Sequence, residues 1–373
     1  MKSIKKNDVA FFNRAIDLAY KSSGLVSPRP SVGALVTNEN IIVGEGATEK
    51  RPGLHAEVIA INNAGEKSLN GTLYCTLEPH SFHGVAPPCT ETIIKSGISK
   101  VVCPIKDPHP KVNGIGFEQL KAANIEVITK VHSDVIESCK ELISPYVHHL
   151  NTGYPLVTLK TAMSIDGKTA TRLSDSKWIT TLESRNKVHN LRYKADAVIT
   201  GIGTIISDNS RLTSRDHDDK YLGRPKLRIV VDSNGIIPAD RNIFKQPGQI
   251  VIASVSKINN LPPNVENMVL PDGNGKVSLQ KLLFEMGQRG IQNILLECGS
   301  KLNAGFIENG LVDQIKIFIG GIIIGGSDSP GVISGTGIDL IKNAIPIKDL
   351  SVLQNGNDIE ITGQINHPYK CCN

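Results

Sequence analysis

Between residues 55 and 89 the chain gathers the residue types that hold a metal and move protons. His55-Ala56-Glu57 is followed by Glu78-Pro79-His80-Ser81-Phe82-His83-Gly84 and then by Pro87-Pro88-Cys89. A His with a carboxylate two residues on, followed by soft ligands among prolines, is the outline of a zinc site for hydrolytic deamination. A metal there acidifies water, and a nearby Glu carries protons to the leaving ammonia. Taken alone, a His-x-Glu pair is weak, because most such pairs merely face solvent. Joined to Pro-Pro-Cys downstream, the signal is strong.

A second set of residues lies beyond position 160. Two strand-to-helix turns, Gly201-Ile202-Gly203-Thr204 and Cys298-Gly299-Ser300, are rich in small residues whose backbone amides can cradle phosphate. No Gly-x-Gly-x-x-Gly follows a first strand, so the usual dinucleotide fingerprint is absent. On composition alone these glycines are turns as often as a cofactor site. Arg192 and Arg215, read alone, are a helix-surface charge and a solvated loop residue.

The spacing of apolar residues supplies the elements that position these groups. Val9, Phe12, Ile16 and Ala19 follow a 3.6-residue period, in a helix that Asn7 can cap and that ends near Gly24. Runs 31–37 and 41–46 read as a hairpin around Asn38-Glu39-Asn40. Helix 55–64, strand 72–77, a helix opened by Pro87-Pro88 and ending at Gly97, strand 100–105, helix 116–123 and strand 125–129 follow. His55 and Glu57 therefore fall in the first turn of one helix and Cys89 in that of the next. Partial positive charge at helix N-termini favours thiolate and carboxylate there.

Residues 144–155, with Pro145, Gly153 and Pro155, break this pattern and read as a domain connection in which His148-His149 is solvated. Beyond it, strands 156–162, 197–200, 226–232, 250–253, 293–297 and 314–319 alternate with helices 182–193, 278–289 and 301–308. Both halves read as α/β, the first with a mainly parallel later half, giving domains 1–147 and 153–373.

Bulk properties agree. The 373 residues suffice for two domains, and 40% hydrophobic with 21% charged residues is ordinary for a globular protein. The net charge of +5 is scattered, with no basic stripe interleaved with aromatics, which argues against nucleic acid as a partner. No run reaches the roughly 20 apolar residues needed to span a bilayer, and Met1 to Asn7 lacks a signal-peptide core. Seven dispersed cysteines predict a reducing, cytoplasmic setting. Cys75, Cys103 and Cys139 read as small hydrophobes, and Cys371 and Cys372 as terminal thiols.

The sequence resembles the bifunctional deaminase/reductases of riboflavin biosynthesis. The first half carries Ser27-Pro28-Arg29-Pro30-Ser31-Val32-Gly33-Ala34, Gly44-Glu45-Gly46, His55-Ala56-Glu57-Val58, Thr76-Leu77-Glu78-Pro79, His83-Gly84, Pro87-Pro88-Cys89 and Asp107-Pro108. The second carries Ala162-Met163-Ser164-Ile165-Asp166-Gly167-Lys168, Trp178-Ile179-Thr180, Gly203-Thr204, Asp208, Leu212-Thr213, Arg215 and Glu297-Cys298-Gly299. The resemblance implies a cytidine-deaminase-like three-layer α/β/α domain joined to a dihydrofolate-reductase-like α/β domain. His55 and Cys89 are then zinc ligands and Glu57 the proton shuttle.

Four departures stand out: His80 where the family has its third Cys ligand, Val85-Ala86 where Arg-Thr is usual, His109 where Asn is usual, and Cys298 for Gly. A His2Cys site is permissible for zinc, although imidazole reaches farther from the backbone than a thiol. His80 is thus either the third ligand or a polar loop residue, with His83 a possible substitute placed by the resemblance on the substrate side.

In the second domain the resemblance assigns NADPH to Ala162, Trp178, Thr204, Asp208, Ser233 and the turn Gly299, Ser300, Lys301, Leu302, Asn303, Ala304 and Gly305. It assigns the substrate, a phosphorylated ribosylaminopyrimidine, to Ser176, Arg192, Leu212, Arg215 and Glu297. Two arginines can fork onto a ribose phosphate, and a homo-oligomer is expected. The implied reactions are deamination of the pyrimidine and NADPH reduction of ribosyl to ribityl. Two rivals remain: a reductase whose first domain is a scaffold, and a non-catalytic metabolite-binding module.

Overall fold

The computed structural model describes residues 6–84, 87–216, 218–222 and 226–365. Val85, Ala86, Cys371 and Cys372 lie outside the described residues. The chain divides into two compact units, Met1–Thr152 and Gly153–Asn373.

In the first unit α1 (Lys6–Ser22) precedes the antiparallel pair β1 (Gly33–Asn38) and β2 (Ile41–Ala47). There follow α2 (Ala56–Ala64), β3 (Thr72–Cys75), α3 (Cys89–Lys95), β4 (Lys100–Val102), α4 (Ile115–Ala122), β5 (Glu126–Ile128) and α5 (Ser133–Thr152). The sheet order is β2-β1-β3-β4-β5, with β3, β4 and β5 parallel as the sequence predicts.

Two glycine contacts show how the layers form. A Cβ on Gly33 would overlap the Ala15 carbonyl oxygen of α1, and one on Gly46 the Ala56 carbonyl oxygen of α2. Gly33 pairs with Ala47 and Gly46 with Ala34, so the two glycines occupy successive rungs and face opposite sides of the sheet. α1 therefore covers one face and α2 the other, each close enough to exclude a side chain. Phe12, Leu35, Leu73, Ile93, Leu120 and Cys139 belong to the core so enclosed.

α1 spans Lys6–Ser22, and the side chain of Asn7 lies outside the described residues. One local expectation differs from what is found. α5 runs through Pro145 to Thr152, so most of the predicted connection is helix. Val135, Cys139, Leu142 and Ile143 bury one stripe of α5, and this packing outweighs the local penalty of an internal proline. The helix ends only before Gly153, whose φ of 74° is the left-handed conformation that glycine adopts without strain. His148 and His149, expected in solvent, are half-buried.

The second unit contains β6 (Leu156–Ser164), α6 (Leu182–Lys194), β7 (Ala197–Gly201), α7 (Ile202–Asp208), β8 (Leu227–Val231), β9 (Ile250–Ser254) and β10 (Val265–Val269). It continues with α8 (Leu279–Gln288), β11 (Asn293–Leu296), α9 (Ser300–Glu308), β12 (Gln314–Gly320), β13 (Ile347–Asn355) and β14 (Asp358–Ile365). One nine-stranded sheet runs β10-β9-β8-β7-β11-β6-β12-β14-β13. It is parallel from β10 to β12 and antiparallel through β14 and β13.

Alternate residues of the central strands feed separate cores. Ile199, Ile229 and Val251 join one, while Val198, Val230 and Ile252 join the other, so both faces are covered and the strands read as continuous apolar runs. The hairpin β13–β14, absent from the predicted elements, turns at Gly356-Asn357, with Gly356 at φ 62°. Among the described residues no helix is long and apolar enough to cross a membrane.

Candidate functional site

In the first unit the helix starts deliver the chemistry together. His55 is the N-cap residue of α2, Glu57 lies in its first turn, and Cys89 opens α3 behind Pro88. One ligand atom from each of His55, Glu57 and Cys89 lies within 4.8 Å of the others, and His55 Nδ1 is 3.1 Å from Cys89 Sγ. His80 stands beside this group and outside it, its ring centroid 5.2 Å from that of His55 in an edge-on arrangement. The His80 Nδ1 atom is buried with no hydrogen-bond partner among the described residues. His83 is exposed and pairs with Glu91 at 2.8 Å, away from any such role.

The electrostatics suit a cation. Burial, then Arg29 and His80, lower the His55 imidazole to about 4, and burial lowers His80 too. Both rings are thus neutral, the form with a lone pair to give. Burial pushes the Glu57 carboxyl up and pushes the Cys89 thiol well up, and Glu57 raises Cys89 further. A divalent ion among these donors is what would hold both as anions. The donor set fits zinc.

Two buried side chains hold the loops that carry these groups. Arg29 donates from Nη1 to the carbonyls of Glu49 and Gly53 (3.1 and 2.7 Å), fixing the approach to His55. Glu78 accepts backbone N–H bonds from Asp107, Gly114 and Gly116 at 2.9–3.0 Å and from Phe117 at 3.4 Å. It ties the strand end before His80 to the loop that carries Asp107 and His109. Asp107 in turn accepts from the His109 N–H and the Tyr146 hydroxyl, and Phe82 packs tilted against His80 and stacks with His109. The sequence reading treated Glu78 and Arg29 only as motif letters; their partners, up to 39 residues away, leave no local trace.

In the second unit the assigned residues collect at the carboxyl ends of adjacent parallel strands, where open α/β sheets bind ligands. Ser233 follows β8, Thr204 and Asp208 lie on α7 after β7, Glu297 and Gly299 follow β11, and Ala162 is near the end of β6. Gly299 caps α9, so Ser300 to Gly305 form its first turns. A Cβ on Gly299 would meet nothing within 4 Å, which leaves its backbone open to a ligand. Ser233 Oγ accepts the Val277 N–H, and the side chain of Asn303 bridges the Cys298 thiol and the Val332 carbonyl. Trp178 is 68% exposed with the Arg185 guanidinium over its ring, and Ser176 is half-buried nearby in sequence.

Glu297 is the electrostatic centre of this unit. Arg192 grips it with Nε and Nη2 at 2.6 and 2.8 Å, and Lys160 Nζ lies 3.7 Å away. Burial alone would raise the Glu297 carboxyl; Arg192 and Lys160 overcome this and hold it at about 2. Arg192 is therefore neither a surface charge nor a free phosphate fork, because Glu297 occupies it. Lys160 was missed from sequence, although a lysine inside the apolar run of β6 is a recognisable signal. Leu212 is buried at φ 55°, and Arg215 leans on His189, whose Nδ1 accepts the Arg215 N–H at 3.2 Å. Burial, then Arg192 and Arg215, lower His189 to about 4, which keeps it a neutral acceptor.

Comparison with known proteins finds relatives that cover both units. Residues 5–105 match the model of the cytidine and deoxycytidylate deaminase zinc-binding region, and residues 155–361 match the RibD C-terminal domain. The riboflavin biosynthesis protein RibD of Bacillus amyloliquefaciens is 34% identical, over 94% of this chain and 95% of its own. The structure of Acinetobacter baumannii RibD is 30% identical with a TM-score of 0.82, covering 97% of this chain and 99% of that one. A diaminohydroxyphosphoribosylaminopyrimidine deaminase/5-amino-6-(5-phosphoribosylamino)uracil reductase from Thermotoga maritima is 32% identical, also with a TM-score of 0.82, covering 96% and 98%. With a zinc-binding deaminase domain and a reductase domain on one polypeptide, the chain belongs to the RibD family of bifunctional deaminase/reductases of riboflavin biosynthesis.

Proposed function

We propose that the first unit releases ammonia from 2,5-diamino-6-ribosylamino-4(3H)-pyrimidinone 5′-phosphate and that the second reduces the ribosyl group of the product to ribityl. His55, Cys89 and His80 would hold a zinc ion, which would supply the Lewis acidity that makes water a nucleophile near neutral pH. Glu57, closed off from solvent, takes up a proton at its carboxylate and returns it to the departing nitrogen. The observation that carries this reading is the meeting of His55, Glu57 and Cys89 within 4.8 Å beside an unpartnered, buried His80 nitrogen.

His80 is tested by its metal affinity. His80→Cys is expected to keep about one zinc per chain and to keep deaminating, since thiolate and imidazole serve zinc alike. His80→Ala is expected to weaken zinc binding at least about tenfold in competition with a chromophoric chelator. An alanine variant that holds zinc as tightly as the parent would remove His80 from the ligand set.

In the second unit NADPH supplies the reducing equivalents, seated on Ala162, Trp178, Thr204, Asp208, Ser233 and the turn 299–305. Ser176, Leu212, Arg215 and Glu297 orient the sugar phosphate, while Arg192 and Lys160 keep Glu297 ionised as a hydrogen-bond acceptor. The triad of two cations and one carboxylate leaves one surplus positive charge, which favours an anionic substrate.

The same reading extends to assembly and setting. Edge strand β13 exposes Leu350, Val352 and Leu353, a stretch that pairing with a second copy would cover, so a homo-oligomer is proposed. Light scattering of the purified protein should give a multiple of 40.2 kDa; the mass of a single chain would contradict it. Free Cys75, Cys89, Cys103, Cys139 and Cys298 suit a reducing cytoplasm.

A further inference from the structure

The arginines available to a phosphate differ from those the sequence pairs. Arg192 has given its fork to Glu297 and its Nη1 to the Thr213 carbonyl at 3.3 Å. Arg215 instead meets a carboxylate on the loop after it, Nη1 lying 2.6 Å from Asp219 Oδ1. The other oxygen of that carboxylate accepts from Arg211 Nη1 at 2.9 Å. Two guanidinium groups thus converge on opposite oxygens of one anion, an arrangement by which proteins grip phosphate. The Arg215 side chain is 19% exposed, whereas those of Arg211 and Asp219 are 40% and 61% exposed, so the shared anion sits at the solvent side of a largely buried arginine. Arg215 Nε is buried with no hydrogen-bond partner among the described residues.

We propose that Asp219 is a built-in stand-in for the phosphate of the reductase substrate, and that Arg211 joins Arg215 in binding that phosphate once the carboxylate is displaced. The inference rests on the reading above that Arg215 faces the sugar phosphate. The exchange is downhill because an exposed carboxylate–arginine pair contributes little. A phosphate monoester brings nearly twice the charge and a third oxygen, which can reach the vacant Arg215 Nε–H. The carboxylate keeps the two arginines together and compensated when no substrate is bound. It therefore acts as an internal competitor that raises the concentration of substrate required.

The opposite role, a structural pin that merely orders the 211–220 loop, predicts the opposite sign. If Asp219 competes with phosphate, Asp219→Asn lowers KM; if it pins a productive loop, the same change raises KM. The test uses the full-length, zinc-loaded chain, reduction of the deaminated substrate at saturating NADPH, and inorganic phosphate as a competitive inhibitor. Asp219→Asn is expected to lower both KM and the phosphate inhibition constant, by about threefold each. Arg211→Ala is expected to raise both by about tenfold, with the KM of the substrate lacking its phosphate changing much less.

An unchanged or raised KM in Asp219→Asn, or an Arg211→Ala variant that binds phosphate like the parent, would overturn the proposal. Arg215→Ala separates the two levels of inference. If it weakens phosphate inhibition while the other two variants do nothing, only this inference fails. If it too has no effect, the assignment of Arg215 to the phosphate fails with it.

Discussion

Replacing Glu57 by Gln is expected to cut ammonia release by about a hundredfold to ten-thousandfold, the usual contribution of a positioned acid–base group. The change is nearly isosteric, so the 3% exposed site should keep its packing, and an amide can still hydrogen-bond. What it cannot do is carry a proton between water and the leaving nitrogen. Zinc content is expected to stay near that of the parent, because His55, Cys89 and His80 remain. Reduction of the deaminated substrate should continue at the parent rate. Retained ammonia release would remove Glu57 from the proton path, and loss of zinc together with activity would recast it as a ligand.

The second large effect concerns Glu297. Glu297→Ala is expected to abolish reduction and to destabilise the second unit by about 3–5 kcal/mol, the range found when one member of a buried ion pair is removed. The cause is specific: Arg192 and Lys160 would be left buried and facing each other without an anion. Deamination should survive. The only tryptophan, Trp178, lies in the second unit, so its fluorescence during denaturation reports that unit alone. A parent-like midpoint in Glu297→Ala would show that the triad contributes nothing to folding.

The same groups set the acid response of the second unit. Glu297 is depressed to about 2 from 4.5, so its contribution is present above about 4.5 and is lost as pH falls towards 2. His189 is depressed to about 4 from 6.5, so its contribution is complete above 6.5 and declines as pH falls towards 4. Stability followed through Trp178 should therefore already fall between pH 6.5 and 4, before the Glu297 step.

What the sequence revealed depended on distance along the chain. His55, Glu57 and Cys89 were legible because each stands at a helix start marked by local signals, Pro88 above all. The role of Glu78 was not, because it accepts N–H groups 29 to 39 residues away. The Arg192–Glu297 pair was hidden for the same reason, its members being 105 residues apart; only the fold places α6 against the end of β11. Two features were visible locally and still missed. The lysine within β6 carried a signal in its apolar neighbours, and Gly356-Asn357 marked the last hairpin. Pro145 misled in the other direction, because tertiary burial of Leu142 and Ile143 holds α5 together through it.

Two substitutions around the first site have a structural reading. His80 is a donor type that zinc accepts, standing beside the His55, Glu57 and Cys89 group, and its unpartnered nitrogen suits a ligand. His109, where Asn is usual, stacks with Phe82 and keeps its backbone N–H on Asp107, so the loop geometry does not depend on an amide at that position.

One measurement tests the central claim most directly: zinc content of the purified chain, with ammonia and NADPH followed together after addition of the diaminopyrimidine substrate. The account predicts about one zinc per chain, ammonia release that proceeds without NADPH, and NADPH oxidation that follows it. A preparation that lacks zinc and releases no ammonia, yet oxidises NADPH with the deaminated substrate, would contradict it and leave the first unit a scaffold.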